Sequence, residues 1–466
     1  YEVNGKWVDM TVTNETIKVA GGDPVTLTVR STRHGPIITD TYDLEKFNEQ
    51  AGVEVPKDYA IALRWTALEP AHMFGAVWGF DTARNWDEFR QAARNFTVPS
   101  QNLLFADTQG NIGYQTPGNI PIRKNGDGRY PVSGWTDDYE WTGYIPFEDL
   151  PYTFNPVEGY IVTANNQVNP QGYPYLIGTD WDYGFRAQRI QDMIMSAPGK
   201  IDIAFIQNIQ GDSYDSNAAT LVPILSSLNL QAGTPNQAKA IDLLKNWDYQ
   251  AHMDSSAAAV FEVFWKNLLA DTFQDDLPED YWPTGGSRWV EVVRNLVNQP
   301  GDPFWDDAST KDVVETRDDI FKKAFTEAVA EIEQLQGRNP EKWNWGDLHV
   351  ATFRNQTLGK SGVAPIEALF NRGEFRTSGG EAIVNATGWK ATKGYSVDWL
   401  PSMRMIVDLG DLRNSVTVHT TGESGHAYHP HYIDMADLWR NLQYYPMLWN
   451  EQAVVSNAVS HVVLKP

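Results

Sequence analysis

Hydrophobic spacing along this chain changes period twice, and a chain that does so cannot be all helix or all sheet. Near the start, Ile17, Val19, Val25, Leu27 and Val29 alternate with polar neighbours on either side of the turn-rich spacer Ala20-Gly21-Gly22-Asp23-Pro24, which predicts a hairpin. Leu103-Leu104-Phe105-Ala106 and Ile112-Gly113-Tyr114 flank residues 107–111 and predict a second. The stretch 124–149, rich in Gly, Pro, Asp and Trp, reads as a long surface loop. Past Arg186 the period becomes helical. Ala257, Val260, Phe261, Phe264, Trp265, Leu268 and Leu269 fall at i, i+3, i+4 and i+7 spacing on one broad apolar face. Thr234-Pro235 opens a shorter helix running to about Trp247. A third helix is expected from an N-cap at Ser309, with Asp312 in its first turn, through Val313, Ile320, Phe321, Ala324, Ala328 and Leu335 to a stop at Gly337 with Pro340 beyond. Strand patterning then returns. Met403, Met405, Val407 and Leu409 alternate with Ser402, Arg404, Ile406 and Asp408, and Val416 and Val418 follow the turn at 410–414. Strands, helices and strands again predict an α+β fold: a sheet core with a helical excursion.

The composition excludes several kinds of partner. The 466 residues carry a formal net charge of -23, and the sequence pI is near 4.7. Nucleic acid and anionic membrane both demand a basic surface, so neither is expected as a partner. No stretch approaches the roughly 20 apolar residues needed to span a bilayer, and the mean hydropathy of -0.43 agrees. The count of Cys is 0, which removes disulfides, thiolate nucleophiles and Cys-ligated metals within this chain but says nothing about the compartment.

Chemistry is suggested first by Gly159-Tyr160-Ile161-Val162-Thr163-Ala164-Asn165-Asn166-Gln167, followed by Gly184-Phe185-Arg186-Ala187-Gln188-Arg189-Ile190. The Tyr-Ile-Val run reads as a short buried strand, which Asn-Asn ends. A primary amide at a strand end can aim its N–H at a developing oxyanion. The alternative reading of the same residue types is an Asx turn.

These segments resemble the β chain of the penicillin acylase family, amidases of the N-terminal nucleophile (Ntn) hydrolase class. The resemblance also takes in Asn4-Gly5-Lys6-Trp7-Val8, Arg33-His34-Gly35-Pro36-Ile37, Phe105-Ala106-Asp107-Thr108-Gln109-Gly110-Asn111-Ile112-Gly113-Tyr114, Thr421-Gly422-Glu423-Ser424-Gly425 and His431-Tyr432-Ile433-Asp434, in the family's order. Residues from about 201 to 344 carry no such motif. The resemblance implies a four-layer αββα sandwich, incomplete in this chain, with 1–190 as the first part of the Ntn core, 191–350 as a mainly helical region and 351–466 as the return to the core. In the family a serine opens the β chain; its hydroxyl attacks the substrate amide and its own α-amino group is the base. This sequence begins with Tyr1, so the nucleophile segment of the β chain and the α chain are expected as partners outside it, and the chain alone is expected to be inactive.

Residue by residue, Asn165 matches the family's oxyanion-hole asparagine, with Asn166 the neighbour that a shifted register would choose. Arg186 matches an arginine near the active site, able to orient an acid or a substrate carboxylate, or to hold its loop by a salt bridge. Trp65 corresponds to an aromatic of the acyl pocket. Gln101 stands where the penicillin acylases place an apolar pocket residue, a departure that weakens the case for a phenylacetyl group. Some members hold one calcium ion between the chains, and Asp180 or Asp182, with a carbonyl near Asp127-Gly128, could supply oxygen ligands; no cofactor is needed for the chemistry. His426, His429, His431 and Asp434 are close in sequence, but Pro430 breaks the helix on which a metal site would converge. His34 is expected to be a hydrogen-bonded histidine and not a base. The implied activity is hydrolysis of a small N-acyl substrate, a β-lactam side-chain amide or an N-acyl homoserine lactone, in a periplasmic or secreted protein. A catalytically inactive relative and a Trp-rich carbohydrate-binding module are the competing readings.

Overall fold

A computed structural model describes residues 1–42, 48, 55–228, 230 and 233–465. The chain forms two compact units, one of Tyr1–Thr163 with Gln167–Trp181, the other of Ala164–Asn166 with Asp182–Pro466.

The first unit is built from short antiparallel ladders. Strands β1 (Glu2–Val3) and β2 (Lys6–Trp7) form a two-residue ladder. Strands β3 (Thr11–Ile17) and β4 (Val25–Thr32) make the first expected hairpin, in register from Ile17 opposite Val25 to Thr11 opposite Ser31, and β5 (Gly35–Pro36) pairs with the end of β4. Helices α1 (Met73–Thr82) and α2 (Trp86–Ala93) follow; Asn85 caps α2, its Oδ1 accepting from the Glu88 N–H at 2.9 Å. The second hairpin forms as expected from β6 (Leu103–Ala106) and β7 (Ile112–Gln115). Asp107 Oδ1 nucleates its turn by accepting from the Gln109 and Asn111 N–H groups at 2.8 and 2.9 Å. Gly113 is required in β7, because a Cβ there would stand 2.4 Å from the Trp86 ring. The loop expected over 124–149 contains a strand. Here β9 (Trp141–Tyr144) pairs with β8 (Pro121–Arg123), and β10 (Tyr152–Phe154) joins β7. The Gly, Pro and Asp residues mark the turns; the Trp-Thr-Gly-Tyr run inside them was outvoted by its surroundings.

The second unit holds most of the buried apolar surface. Its longer helices are α3 (Phe185–Met195), α4 (Ile203–Gly211), α5 (Ser216–Ser227), α6 (Pro235–Lys245), α7 (Ser256–Phe273), α8 (Ser287–Leu296) and α9 (Arg317–Gln336). Thr234 and Gln237 form a reciprocal capping box at α6. Helix α9 ends at Gly337 with φ at +83°, as expected, but it starts at a Thr316–Asp319 capping box and not at Ser309. Ser309 instead donates to Asp307, and Val313 is exposed. Phe261, Phe264, Leu268 and Leu269 of α7 pack with Ile320, Phe321, Ala324 and Ala328 of α9 in one buried cluster, which also takes in Trp305, Trp343, Trp345 and Trp389. Each such large side chain contributes about 1.5–3 kcal/mol by leaving water. The tryptophans of this cluster are core material.

Strands close the second unit. Strand β11 (Val350–Phe353) pairs with β12 (Arg372–Arg376), and β13 (Met403–Ile406), β14 (Val416–His419) and β15 (Tyr445–Pro446) form one antiparallel sheet. The inward residues of β13 are Arg404 and Ile406, while Met403 and Met405 are exposed. The Arg404 guanidinium donates to the Trp439 carbonyl at 2.7 Å and to Asn385 Oδ1 at 2.8 Å, and burial lowers its pKa to about 10. Among the described residues no helix is long and apolar enough to cross a membrane.

Candidate active site

The strand expected at Tyr160-Ile161-Val162 is absent: these residues belong to no ladder among the described residues, and the run ends in a bend. Asn165 is the cause of that ending. Its φ of +66° is left-handed, a conformation a strand cannot contain and one that asparagine tolerates better than most residues. Asn166 locks the bend, its Oδ1 accepting from the Ala164 N–H at 3.0 Å. The chain then returns at Asp182, which forms a parallel bridge with Asn166 and donates its own N–H to the Asn165 carbonyl at 2.9 Å.

Gly184, with φ at +89°, turns the chain into α3 and carries Arg186 into its first turn. One guanidinium nitrogen, Nη2, donates to the Ala164 carbonyl at 3.0 Å and to Asn165 Oδ1 at 2.9 Å, and lies 3.4 Å from Asp182 Oδ2. The Arg186 side chain is only 18% exposed, so these contacts are made largely out of water, where charge-assisted hydrogen bonds are strongest. Asn165 itself is exposed. Because the arginine takes the carbonyl edge of the amide, the NH2 edge faces away from it. The result is an exposed amide whose orientation is fixed by a half-buried cation.

The same unit holds buried acids, one of which, Glu381, feels the charge of Arg186. Glu381 has its pKa raised by burial, against the Trp399 indole N–H at 3.2 Å and the charge of Arg186, which pull the other way. Glu262, midway along α7, is pushed well up by burial, and the charges of Asp215 and Glu381 add to the effect. Asp215 rises to about 7 through burial, although its Oδ1 accepts from the Asn217 and Ala218 N–H groups. None of these acids stood out from the sequence. The signal for Glu262 was a carboxylate inside an otherwise apolar helical run.

Of the expected site residues, Asn165 and Arg186 come together. Trp65 and Gln101 are both exposed in the first unit, Trp65 at the start of a single 3-10 turn and Gln101 two residues before β6. Asp180 is exposed near Arg129, a cation already paired to Asp127. Asp182 spends its carboxylate on Arg186, on Ser287 at 2.9 Å and on the Gly184 N–H at 3.0 Å. Among the described residues no group of three or more His, Asp or Glu could hold a metal ion. His431 pairs with Asp434 at 2.7 Å, while His426 and His429 accept local backbone N–H groups. His34 bonds Glu140 at 2.6 Å. Burial pushes the Glu140 carboxyl up, but His34 and the nearby Arg33 and Arg64 outweigh it and leave the pKa lowered.

Residues 1–456 match the sequence model of the family described as penicillin amidase. An acyl-homoserine lactone acylase, QuiP, of Pseudomonas fluorescens is 29% identical over 464 residues, which is 95% of this chain and 54% of that protein. A penicillin acylase 2 proenzyme of Pseudomonas sp. is 27% identical over 97% of this chain and 55% of its own length. Penicillin G acylase of Escherichia coli is 32% identical over 255 residues, covering 53% of this chain and 28% of that protein. The chain thus spans about half the length of the first two relatives. In structure it is similar to a thermostable penicillin G acylase from Alcaligenes faecalis, with a TM-score of 0.70 and 22% identity over 100% of this chain and 83% of that one. The fold is therefore the Ntn-hydrolase fold of that enzyme.

Proposed function

The chain belongs to the penicillin amidase family, and from that premise we propose that it carries the oxyanion-stabilising side of an N-acyl amide hydrolase, with the Asn165 side chain as a donor. The observation that supports this most is the 2.9 Å bond from Arg186 Nη2 to Asn165 Oδ1, which points the amide NH2 outward from an exposed left-handed residue.

In the proposed reaction a serine hydroxyl at the start of the β chain, outside this sequence, attacks the acyl carbon of a linear amide. Its proton passes to the serine's own α-amino group and from there to the leaving amine. The tetrahedral oxyanion is held by the Asn165 N–H, the C–N bond breaks, and water later releases the acid from the ester. No cofactor enters. The α chain and the opening β segment are the proposed partners, and this chain without them is inactive. The substrate is a small N-acyl compound, a β-lactam side-chain amide or an N-acyl homoserine lactone. Trp65 and Gln101 would line its acyl group, and the polar Gln101 argues against a purely aromatic one. A periplasmic or secreted location fits that role.

The test uses the full-length, processed enzyme and a chromogenic acyl amide under single-turnover conditions. Asn165→Ala should lower the acylation rate by roughly 10²–10³, about 2.7–4 kcal/mol, with little change in KM, because the donor matters most once charge develops. Asn166→Ala should be milder. A larger loss at Asn166 would move the role there, and no loss at either would overturn the reading.

A further inference from the structure

We propose that Asp182 and Ser287 are positioning residues for Asn165, acting through Arg186 and through the Asn165 backbone; this rests on Asn165 being the oxyanion donor. Asp182 reaches Asn165 by two routes. Its backbone N–H donates to the Asn165 carbonyl at 2.9 Å, and its Oδ2 stands 3.4 Å from the Arg186 nitrogen that grips the Asn165 amide. The carboxylate is held in turn. Oδ1 accepts from the Gly184 N–H at 3.0 Å, just before α3, and Oδ2 accepts from the Ser287 hydroxyl at 2.9 Å, on the first residue of α8. A carboxylate at two helix N-termini is electrostatically favoured, and the Asp182 side chain is only 11% exposed. Ser287 lies 105 residues along the chain from Asp182, so α8 pins a bend made by distant sequence. The Ser287 hydroxyl, donating to Asp182, thereby orients the carboxylate.

An oxyanion donor must be placed to within a fraction of an ångström, and a displacement of about 1 Å can cost on the order of 10²-fold in rate. Removing the Asp182 carboxylate frees the guanidinium to swing, and with it the Asn165 amide. Asp182→Ala should therefore lower kcat by about 10–100-fold with KM within about threefold, and Ser287→Ala by about 3–10-fold, with Ser287→Thr restoring most of the loss.

The deciding experiment is a double-mutant cycle in the full-length, processed enzyme, with each variant made alone and on Asn165→Ala. If Asp182 and Ser287 act through Asn165, their effects on kcat disappear in the Asn165→Ala background. Losses that persist there undiminished, that fall on KM alone, or that stay below about twofold would overturn the proposal. Near-normal activity of Asn165→Ala itself would instead sink the oxyanion reading. Should Asp182→Ala fail to fold or mature, the Ser287→Ala and Ser287→Thr pair decides, since it changes one hydroxyl.

Discussion

The β3–β4 hairpin of the first unit and the α7–α9 helix pair of the second are both spelled in clear hydrophobic periods, yet they end in opposite environments. Val12, Ile17 and Val25 of the hairpin are 58%, 50% and 53% exposed, whereas Phe261, Phe264 and Phe321 are 0% exposed. Periodicity fixes which element forms; burial needs a second apolar surface within reach. Helix α7 is apolar nearly all round and meets such surfaces on several sides, while among the described residues none covers Val12 and Val25 of the hairpin. Stability should therefore be concentrated in the second unit. Phe264→Ala breaks that comparison most directly. It should destabilise the second unit by about 3–5 kcal/mol, seen as a lower urea midpoint by tryptophan fluorescence, which reports this unit through Trp305, Trp343, Trp345 and Trp389. A loss under about 1 kcal/mol would mean that the packing around α7 is not the source of stability.

Charge divides the units in the same way. Glu140 in the first sits among His34, Arg33 and Arg64, whereas Asp215 and Glu262 in the second are buried near other acids, with no cation among the causes of their shifts. Folding raises the Asp215 pKa to about 7 by burial. As pH climbs from about 4 toward 7, the unfolded chain gives up this proton and the folded one keeps it, so this stabilising contribution is full below the unfolded pKa and is lost as pH rises. His349 works the other way. Burial lowers its pKa to about 4, so folding loses stability as pH falls below the ordinary histidine value. Asp215→Asn keeps a side-chain oxygen for the Asn217 and Ala218 N–H groups, removes the first slope and relieves Glu262 of one neighbouring charge. Its stability relative to the parent should grow between pH 4 and 7 by on the order of 2–4 kcal/mol, at about 1.4 kcal/mol per pKa unit. Urea titrations across that range check it, and a constant difference would mean that Asp215 ionises as an ordinary carboxyl.

The sequence carried the two hairpins, the α6 and α7 helices and the end of α9, because each depends on residues near one another in the chain; the bond from Arg186 to Asn165 was not among its expectations. It misplaced the start of α9 because Ser309 and Thr316 are equally good caps by type, and only the reciprocal bond to Asp319 separates them. It expected a strand into Asn165 where the chain makes a bend, since a run of Tyr, Ile and Val cannot announce that no ladder receives it. The inward face of β13 was also hidden. Alternation marks two faces without saying which is buried, and here the inner one holds a charged Arg404 that Asn385 and the Trp439 carbonyl satisfy. Ser287 was beyond reach for a simpler reason: nothing near it in sequence mentions Asp182.

The smallest expected effect tests the other side of the comparison. Ile17 and Val25 face each other across the β3–β4 ladder at the hairpin's end, and both stay half in water. Threonine keeps the β-branched shape that suits a strand while replacing one methyl of valine, or the ethyl arm of isoleucine, by a hydroxyl that solvent can satisfy. The double change Ile17→Thr with Val25→Thr should thus shift the stability of this chain by no more than about 0.5 kcal/mol, the usual range for exposed positions, as read by thermal unfolding in the far ultraviolet. The same pair in the full-length, processed enzyme sharpens the result. A loss of about 2 kcal/mol there, but not in this chain alone, would place the hairpin against a segment outside this sequence, and its exposed valines would then be an interface. A comparable loss in both would mean that the hairpin is covered from within, and the contrast between the two units would collapse.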